Sequence, residues 1–364
     1  MMEIIYNLMH LERKVARIST NGKCTVWDKD FLPYDLFLDD RETDFDTLFH
    51  NISSFYFWCA SRMLTLDRVY AKEILNSIGV SQARTDRDRA QIALSYHCLS
   101  LTDVYWVKEE GEQIRFKDIN LYENHLSNAF VDISLKGRQI SVENSHMIAD
   151  NLSTGGMFPK AWIRMEDGFY LLKDGDEEAV ERELLASRVA SCFSCRQVHY
   201  ERAAYEGTTV SRSRLMTSLD YSIVSREAFE IYAQNQEINA LDYICSLDGY
   251  AYHMMNILDY LVGNTDRHWG NWGLLVDNRT NRPVRLHDLM DFNRAFSSYD
   301  NLNGANCLTV DRRHPANQLQ AALDGVREIG WNQTAEIQEE WFHGRKDWLE
   351  MLERRMDALK FLKR

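Results

Sequence analysis

Apolar and polar positions run along this chain in two rhythms, and the points where the rhythm changes mark its elements. Residues 11–19 and 23–28 flank Asn21-Gly22 in the pattern of a β-hairpin. Residues 53–64 and 67–78 carry apolar side chains at helical spacing, 86–89 (Asp-Arg-Asp-Arg) is a solvated charge run, and 101–108, with Tyr105 and Trp106, is an apolar segment that packs on a core. Further on, Gly168-Phe169-Tyr170-Leu171-Leu172-Lys173 reads as an apolar strand ending in lysine. Asp174-Gly175-Asp176 is a turn and N-cap for a helix over 177–191, with Val180, Leu184 and Ser187 on one face and Glu183 bordering it. Residues 198–205 and 208–216 form a second hairpin around Glu206-Gly207, 217–221 a hinge, and 225–239 a helix with Phe229 and Tyr232 for packing. The stretch 249–262 is apolar nearly all round, as in a helix buried inside a lobe, and Gly263 stops it. Strands at 272–277 and 283–287 flank a turn at 278–282, and 318–364 reads as two or three amphipathic helices.

Between the buried helix and the last hairpin lies Gly263-Asn264-Thr265-Asp266-Arg267-His268-Trp269-Gly270-Asn271-Trp272-Gly273, and Asp288-Leu289-Met290-Asp291-Phe292-Asn293 follows it. Asp266 and Asn271 stand in D-x-x-x-x-N spacing, the layout of a kinase catalytic loop with its later metal-binding aspartate. Phosphoryl transfer needs a carboxylate to orient a hydroxyl and take its proton, and an amide oxygen plus a second carboxylate to hold magnesium against phosphates. Asp266, Asn271 and Asp291 supply that set. Taken singly, Asp and Asn in a glycine-rich loop are turn formers; in combination they point to a phosphotransferase. His268 reads as a residue that holds the loop in shape by hydrogen bonds, with metal ligation or general-base action as the alternatives. Asp288 competes with Asp291 for the metal; Asp291 is preferred because it leads the D-F-N triplet, leaving Asp288 to a turn or cap.

A kinase must also grip its nucleotide, and the region upstream offers the groups. Ser153-Thr154-Gly155-Gly156 sits in a small-residue loop whose glycines let backbone N–H groups approach phosphate oxygens, although Gly-Gly by itself is commonly a turn. Lys173 can neutralise the α- and β-phosphates, against the plainer reading of an edge-strand lysine. Glu183 is the carboxylate to pair with Lys173, and Glu181 is its competitor.

These residues resemble the HipA-like serine/threonine kinases of bacteria, whose fold is similar to that of protein kinases and phosphatidylinositol 3/4-kinases. The resemblance rests on GNTDRHWGNWG at 263–273, DLMDFNRAF at 288–296, STGGMFPKAW at 153–162, and YLLK at 170–173 with ERELLASR at 181–188, and it covers 140–345. It implies an α+β, bilobal protein-kinase-like fold: an N-terminal accessory subdomain over 1–140, a nucleotide-binding small lobe over 141–218 and a helical catalytic lobe over 219–364. By the same resemblance Asp266 is the catalytic aspartate, Asn271 and Asp291 bind Mg2+, and Lys173 binds ATP. Ser153 falls where such kinases carry a phosphate-loop serine whose autophosphorylation ejects the loop and silences the enzyme; because the loop here reads STGG, Thr154 is a rival acceptor. Members include toxins that phosphorylate an aminoacyl-tRNA synthetase and are restrained by a DNA-binding antitoxin. A protein substrate and an antitoxin-like partner are therefore the expectations the resemblance carries.

Bulk properties narrow what is left. With 364 residues, 45% hydrophobic and 12% aromatic, the chain can bury a sizeable core and is not disordered. Its net charge of −13 argues against direct sequence-independent nucleic-acid binding and against an anionic membrane surface. Seven cysteines in irregular spacing point to free thiols in a reducing cytoplasm, with Cys192-x-x-Cys195 read as buried small side chains rather than a metal or redox pair. No apolar run reaches transmembrane length and the N-terminus is too broken by polar groups for a secretory signal, so a soluble cytoplasmic protein is expected. Two other classes compete with the protein kinase. One is a lipid or small-molecule kinase of the same architecture, which the acidic surface disfavours in its lipid form; the other is a non-catalytic binding module, against which the intact Lys173, Asp266, Asn271 and Asp291 speak.

Overall fold

The computed structural model describes residues 3–63, 85–124, 160–173, 176–205, 208–297, 301–310 and 316–360. The chain forms two compact units. The first takes Met1–Leu171, Thr217–Ile223 and Val276–Arg282, and the second takes Leu172–Met216, Val224–Leu275 and Pro283–Arg364.

In the first unit, strands β1 (Ile5–His10), β2 (Arg13–Ser19), β3 (Cys24–Val26) and β4 (Tyr105–Glu109) make an antiparallel sheet of order β3-β2-β1-β4. The hairpin expected around Asn21-Gly22 is β2–β3, while β1 is an addition. Its sequence does not announce a strand; pairing on both sides, with Leu8 opposite Ala16 and Val107, makes it one. Helix α1 (Phe45–Ser61) begins at Phe45 rather than at residue 53, because Asp44 caps it by accepting the Thr47 N–H at 3.0 Å, and the exposed Phe45 and Phe49 hide its amphipathic rhythm. The charge run at 86–89 is the first turn of helix α2 (Asp86–Ser95), where Thr85 and Asp88 form a capping box. The expected helix over 67–78 lies outside the described residues. A short helix, α3 (Phe116–Ile119), follows β4. Leu8, Ile18, Phe55, Trp58 and Trp106 are fully buried between sheet and helices.

Strands β5 (Lys160–Met165), β6 (Gly168–Lys173), β7 (Tyr200–Tyr205) and β8 (Thr208–Arg214) form a second sheet of order β5-β6-β8-β7. Helix α4 (Glu177–Ser191) matches the expected span, capped by Asp176, which accepts the Ala179 N–H at 2.7 Å. A third sheet, of order β11-β10-β9, joins β9 (Tyr221–Ser225), β10 (Gly273–Asp277) and β11 (Arg282–Leu286). The turn between β10 and β11 is not the exposed loop its polar residues suggest. Asn278 and Asn281 are buried, and Asn281 donates to Asp30 O at 2.9 Å within the first unit.

The helices of the second unit are α4, α5 (Arg226–Asn235), α6 (Ala240–Val262), α7 (Gln318–Ile329) and α8 (Lys346–Lys360). Helix α6 is longer than the apolar run 249–262 because a second segment precedes it, joined at Asp248, whose φ of −152° is not helical. The Asp248 carboxylate there accepts from Arg196 and from the Leu286 N–H at 3.1 Å, which holds the break. At its other end Gly263 takes φ +64°, the left-handed cap that its sequence position foretold. Among the described residues no helix is long and apolar enough to cross a membrane.

Candidate active site

Strand β6 delivers Lys173 and helix α4 delivers Glu183. The Lys173 ammonium donates to Glu183 Oε1 at 2.8 Å and to Asp291 Oδ1 at 3.1 Å. The Glu183 side chain is 2% exposed, and its other oxygen accepts from Ser211 Oγ on β8. Burial by itself would disfavour the ammonium, but Asp291, Glu183 and Tyr200 overcome it and hold the Lys173 pKa well above the usual lysine value. Lys173 is therefore a fixed cation. Glu181, the competitor, lies elsewhere, accepting from Arg345 Nη2 at 2.8 Å.

Asp291 is conformationally marked. Its φ of +64° lies in the left-handed region, which a residue with a Cβ adopts at a cost of about 1–3 kcal/mol. Contacts on its own backbone hold it there: its N–H donates to Tyr200 Oη at 2.9 Å, and its carbonyl accepts from Asn264 Nδ2 at 3.3 Å. Asp288 has a different engagement, accepting from Arg285 Nη1 at 2.8 Å. The two candidates for the metal are thus physically distinct, and Asp291 is the one beside Lys173.

The loop that follows Gly263 is tied down from within. Asn271 is buried, and its Nδ2 donates to the Asp266 carbonyl at 2.8 Å, which leaves Oδ1 as its acceptor end. The half-buried Asp266 donates through its N–H to Asn264 Oδ1 at 3.5 Å, and among the described residues no hydrogen bond reaches its carboxylate. His268 is exposed and accepts the Gly270 N–H on Nδ1 at 3.1 Å. So Lys173, Glu183 and Asp291 meet directly, and Asp266 meets Asn271. Ser153, Thr154, Gly155 and Gly156 lie outside the described residues.

Among the described residues no group of three or more His, Cys, Asp or Glu side chains could hold a metal ion by itself. A magnesium site shared with phosphates needs less: one or two carboxylates, other hard oxygen donors and water. The Asn271 amide, with Nδ2 already committed, and the Asp291 carboxylate are donors of that kind.

No family model matches the chain, and no curated protein matches it in sequence. Among solved structures, HipA from the Shewanella oneidensis MR-1 toxin–antitoxin complex with HipB and operator DNA is similar over 98% of this chain and 99% of that one, with a TM-score of 0.52 at 13% identity. The chain has a HipA-like kinase fold. The Helicobacter pylori proinflammatory kinase CtkA also aligns, over 57% of this chain and 90% of its own, with a TM-score of 0.44 at 16% identity.

Within this HipA-like fold, two residues that the sequence had not singled out join the two halves of the site. Arg267 is buried against Asp259, donating from Nε at 2.8 Å and from Nη2 at 2.9 Å in a bidentate pair. Its Nη1 donates to the Asn271 carbonyl at 3.1 Å and also to the Met290 carbonyl, next to Asp291. One guanidinium therefore sets the spacing between the loop and the Asp291 segment. A signal for it existed: Asp259 is a charged residue inside an apolar helix, and a buried charge demands a partner.

Proposed function

We propose that the protein is an ATP- and Mg2+-dependent serine/threonine protein kinase of HipA-like type. The observation that carries the reading is the Lys173 ammonium held between Glu183 and Asp291, with Arg267 bridging the Asp291 segment to the Asp266–Asn271 loop. In the proposed reaction Lys173 holds the nucleotide phosphates by charge. Asn271 Oδ1 and the Asp291 carboxylate would hold the magnesium, whose charge would offset that of the phosphates. Asp266 orients the acceptor hydroxyl and takes its proton, as the hydroxyl oxygen bonds the γ-phosphorus and the bond to the ADP oxygen breaks.

The proposed substrate is a protein hydroxyl, with Ser153 and Thr154 of the chain itself among the acceptors. An antitoxin-like protein is the proposed partner, in line with the HipB that accompanies the Shewanella oneidensis HipA. The proposed arrangement is an accessory subdomain over 1–140, a small lobe over 141–218 and a helical lobe over 219–364, in a cytoplasmic protein whose seven thiols are free.

The test is to incubate the purified chain with labelled ATP and Mg2+, alone and with a cell lysate, beside Asp266→Ala. Wild type is expected to label itself or a lysate protein, and the variant to label neither. Equal label in both removes the catalytic assignment; label confined to a lipid or small-molecule fraction replaces the protein substrate with a smaller one. A phosphopeptide map then separates Ser153 from Thr154.

A further inference from the structure

The first turn of α7 is bonded to the 301–310 segment and, through one side chain, to the loop that carries Asp266. A helix start leaves N–H groups without partners inside the helix. Here Gln318 N donates to the Ala305 carbonyl at 2.9 Å, Leu319 N to the Asn303 carbonyl at 3.0 Å, and Gln320 N to the Asn317 side chain at 2.8 Å. The near end of the 301–310 segment is thereby fastened to α7. Its far end is fastened to the loop and to α6: Trp269 Nε1 donates to the Leu308 carbonyl at 2.9 Å, and Thr309 Oγ1 donates to Asn256 Oδ1.

Gln318 joins these pieces at the centre. Its side chain is buried, Nε2 donates to the Asn264 carbonyl, and Oε1 accepts the Ala305 N–H at 3.0 Å. A carbonyl only accepts and a peptide N–H only donates, so the two partners fix which way the amide faces and require a group that does both. Asn264, fully buried, passes the contact on: its Nδ2 donates to Asp259 Oδ1 at 3.0 Å and to the Asp291 carbonyl at 3.3 Å, and its Oδ1 accepts the Asp266 N–H at 3.5 Å. Among the described residues that is the one acceptor of the Asp266 N–H, whereas Asp291 is also held by Tyr200 and Lys173. The segment makes room for the amide at Gly304, whose φ is +68° and where a Cβ would lie 2.7 Å from Gln318 Oε1.

We propose that Gln318 is a positioning residue that couples the 301–310 segment to the Asp266 loop, so that this segment governs the rate of phosphate transfer and not the grip on the nucleotide. The inference rests on the kinase reading above. Lys173 and Glu183 have contacts of their own, and among the described residues Gln318 bonds neither. Displacing its amide shifts the Asn264 carbonyl and, with it, the support of the Asp266 backbone; a carboxylate oriented less well toward the acceptor hydroxyl slows transfer while the phosphate cation stays in place.

The test compares the full chain with Gln318→Glu, which is isosteric and keeps the acceptor for Ala305 but loses the donor to Asn264, and with Gly304→Ala, which pushes the amide aside without altering Gln318. Phosphate transfer, the Kd for ATP with Mg2+, and hydrogen exchange of the 263–271 amides are measured on each. Both variants are expected to lower kcat about tenfold, the worth of one hydrogen bond, and to speed exchange at 263–271 by about the same factor, with the Kd close to that of wild type. A merely structural role would instead weaken nucleotide binding together with the rate. The proposal is overturned if kcat is unchanged, if the Kd rises in step with the fall in kcat, or if exchange at 263–271 is unchanged in the folded variants. Where Gly304→Ala does not fold, Gln318→Glu decides alone. A wild type that transfers no phosphate removes the kinase reading, and the exchange measurement then still decides whether Gln318 couples the segment to the loop.

Discussion

Replacing Lys173 by Met separates what this residue does for the fold from the part proposed for it at the nucleotide. The Lys173 side chain is 13% exposed, and its ammonium lies 2.8 Å from Glu183, whose side chain is 2% exposed, and 3.1 Å from Asp291, whose side chain is 19% exposed. Removing it strands the Glu183 charge away from water, whereas Asp291 keeps some access to solvent. Breaking a buried pair in this way costs about 3–5 kcal/mol, a large part of the roughly 5–15 kcal/mol by which a domain is stable. In urea denaturation, Lys173→Met should therefore lower the midpoint sharply. The double variant Lys173→Met/Glu183→Leu removes the stranded charge and should recover most of the loss. Recovery stops short by about 1 kcal/mol, because Ser211 Oγ loses the carboxylate to which it donates. Nucleotide binding, measured by calorimetry with ATP and Mg2+, should be lost in both variants, since the cation is gone in both. A single variant as stable as wild type would refute the buried triad, and a double variant that binds ATP as well as wild type would refute Lys173 as the phosphate cation.

Arg267→Gln should cost about 3–5 kcal/mol, because it strands Asp259 in the core, and it should weaken magnesium-dependent nucleotide binding by loosening the Asn271 and Met290 carbonyls; an unshifted urea midpoint would contradict the bidentate pair. Gly273→Ala should destabilise by about 1–3 kcal/mol or more, since its Cβ would come within 2.1 Å of the Val224 carbonyl and force β10 off β9; a melting curve superimposable on wild type would show that the strands approach less closely. Stability should fall as pH is lowered from 6.5 toward 4, because burial first of all depresses the pKa of both His10 and His287 to about 4 and the unfolded chain binds protons that the folded chain refuses. Each depressed histidine contributes stability that is complete above 6.5 and lost on acidification, on the order of 3 kcal/mol apiece. Urea midpoints across that window should rise with pH in wild type and flatten in His10→Gln/His287→Gln, and identical slopes would count against the shifts.

Local chemistry was legible wherever the determining groups lie within a few residues of one another. Asp176 and Gly263 at their helix ends, the β7–β8 and β10–β11 hairpins, and the apolar run 249–262, continuously buried from Met254 on, follow from caps, turns and periodicity acting on one segment. Other elements were missed or begun late. Strand β1 needs two partners from elsewhere to be a strand, α1 hides its start behind exposed phenylalanines, and the exposed charges at 86–89 are also the first turn of a helix that Thr85 and Asp88 cap. Candidate residues for the proposed phosphoryl transfer could be nominated because that chemistry restricts them to few types, and D-x-x-x-x-N spacing is short.

The sequence preferred Glu183 to Glu181 and Asp291 to Asp288; what it could not supply is the packing that separates the members of each pair and the clamp that joins distant segments. Glu181 and Glu183 are two residues apart on one helix, and only the packing of α4 on β8 buries one and turns the other to Arg345. Asp288 and Asp291 differ by three positions, yet Tyr200 and Asn264, from other elements, hold the second in a left-handed backbone beside Lys173. Arg267 reads as one more polar residue in a loop until Asp259 is seen beneath it. The sequence determined by itself which side chains were available and how each short segment folds, because those depend on near neighbours; the tertiary structure decided which of them meet, because burial and charge pairing are settled by residues a hundred positions away.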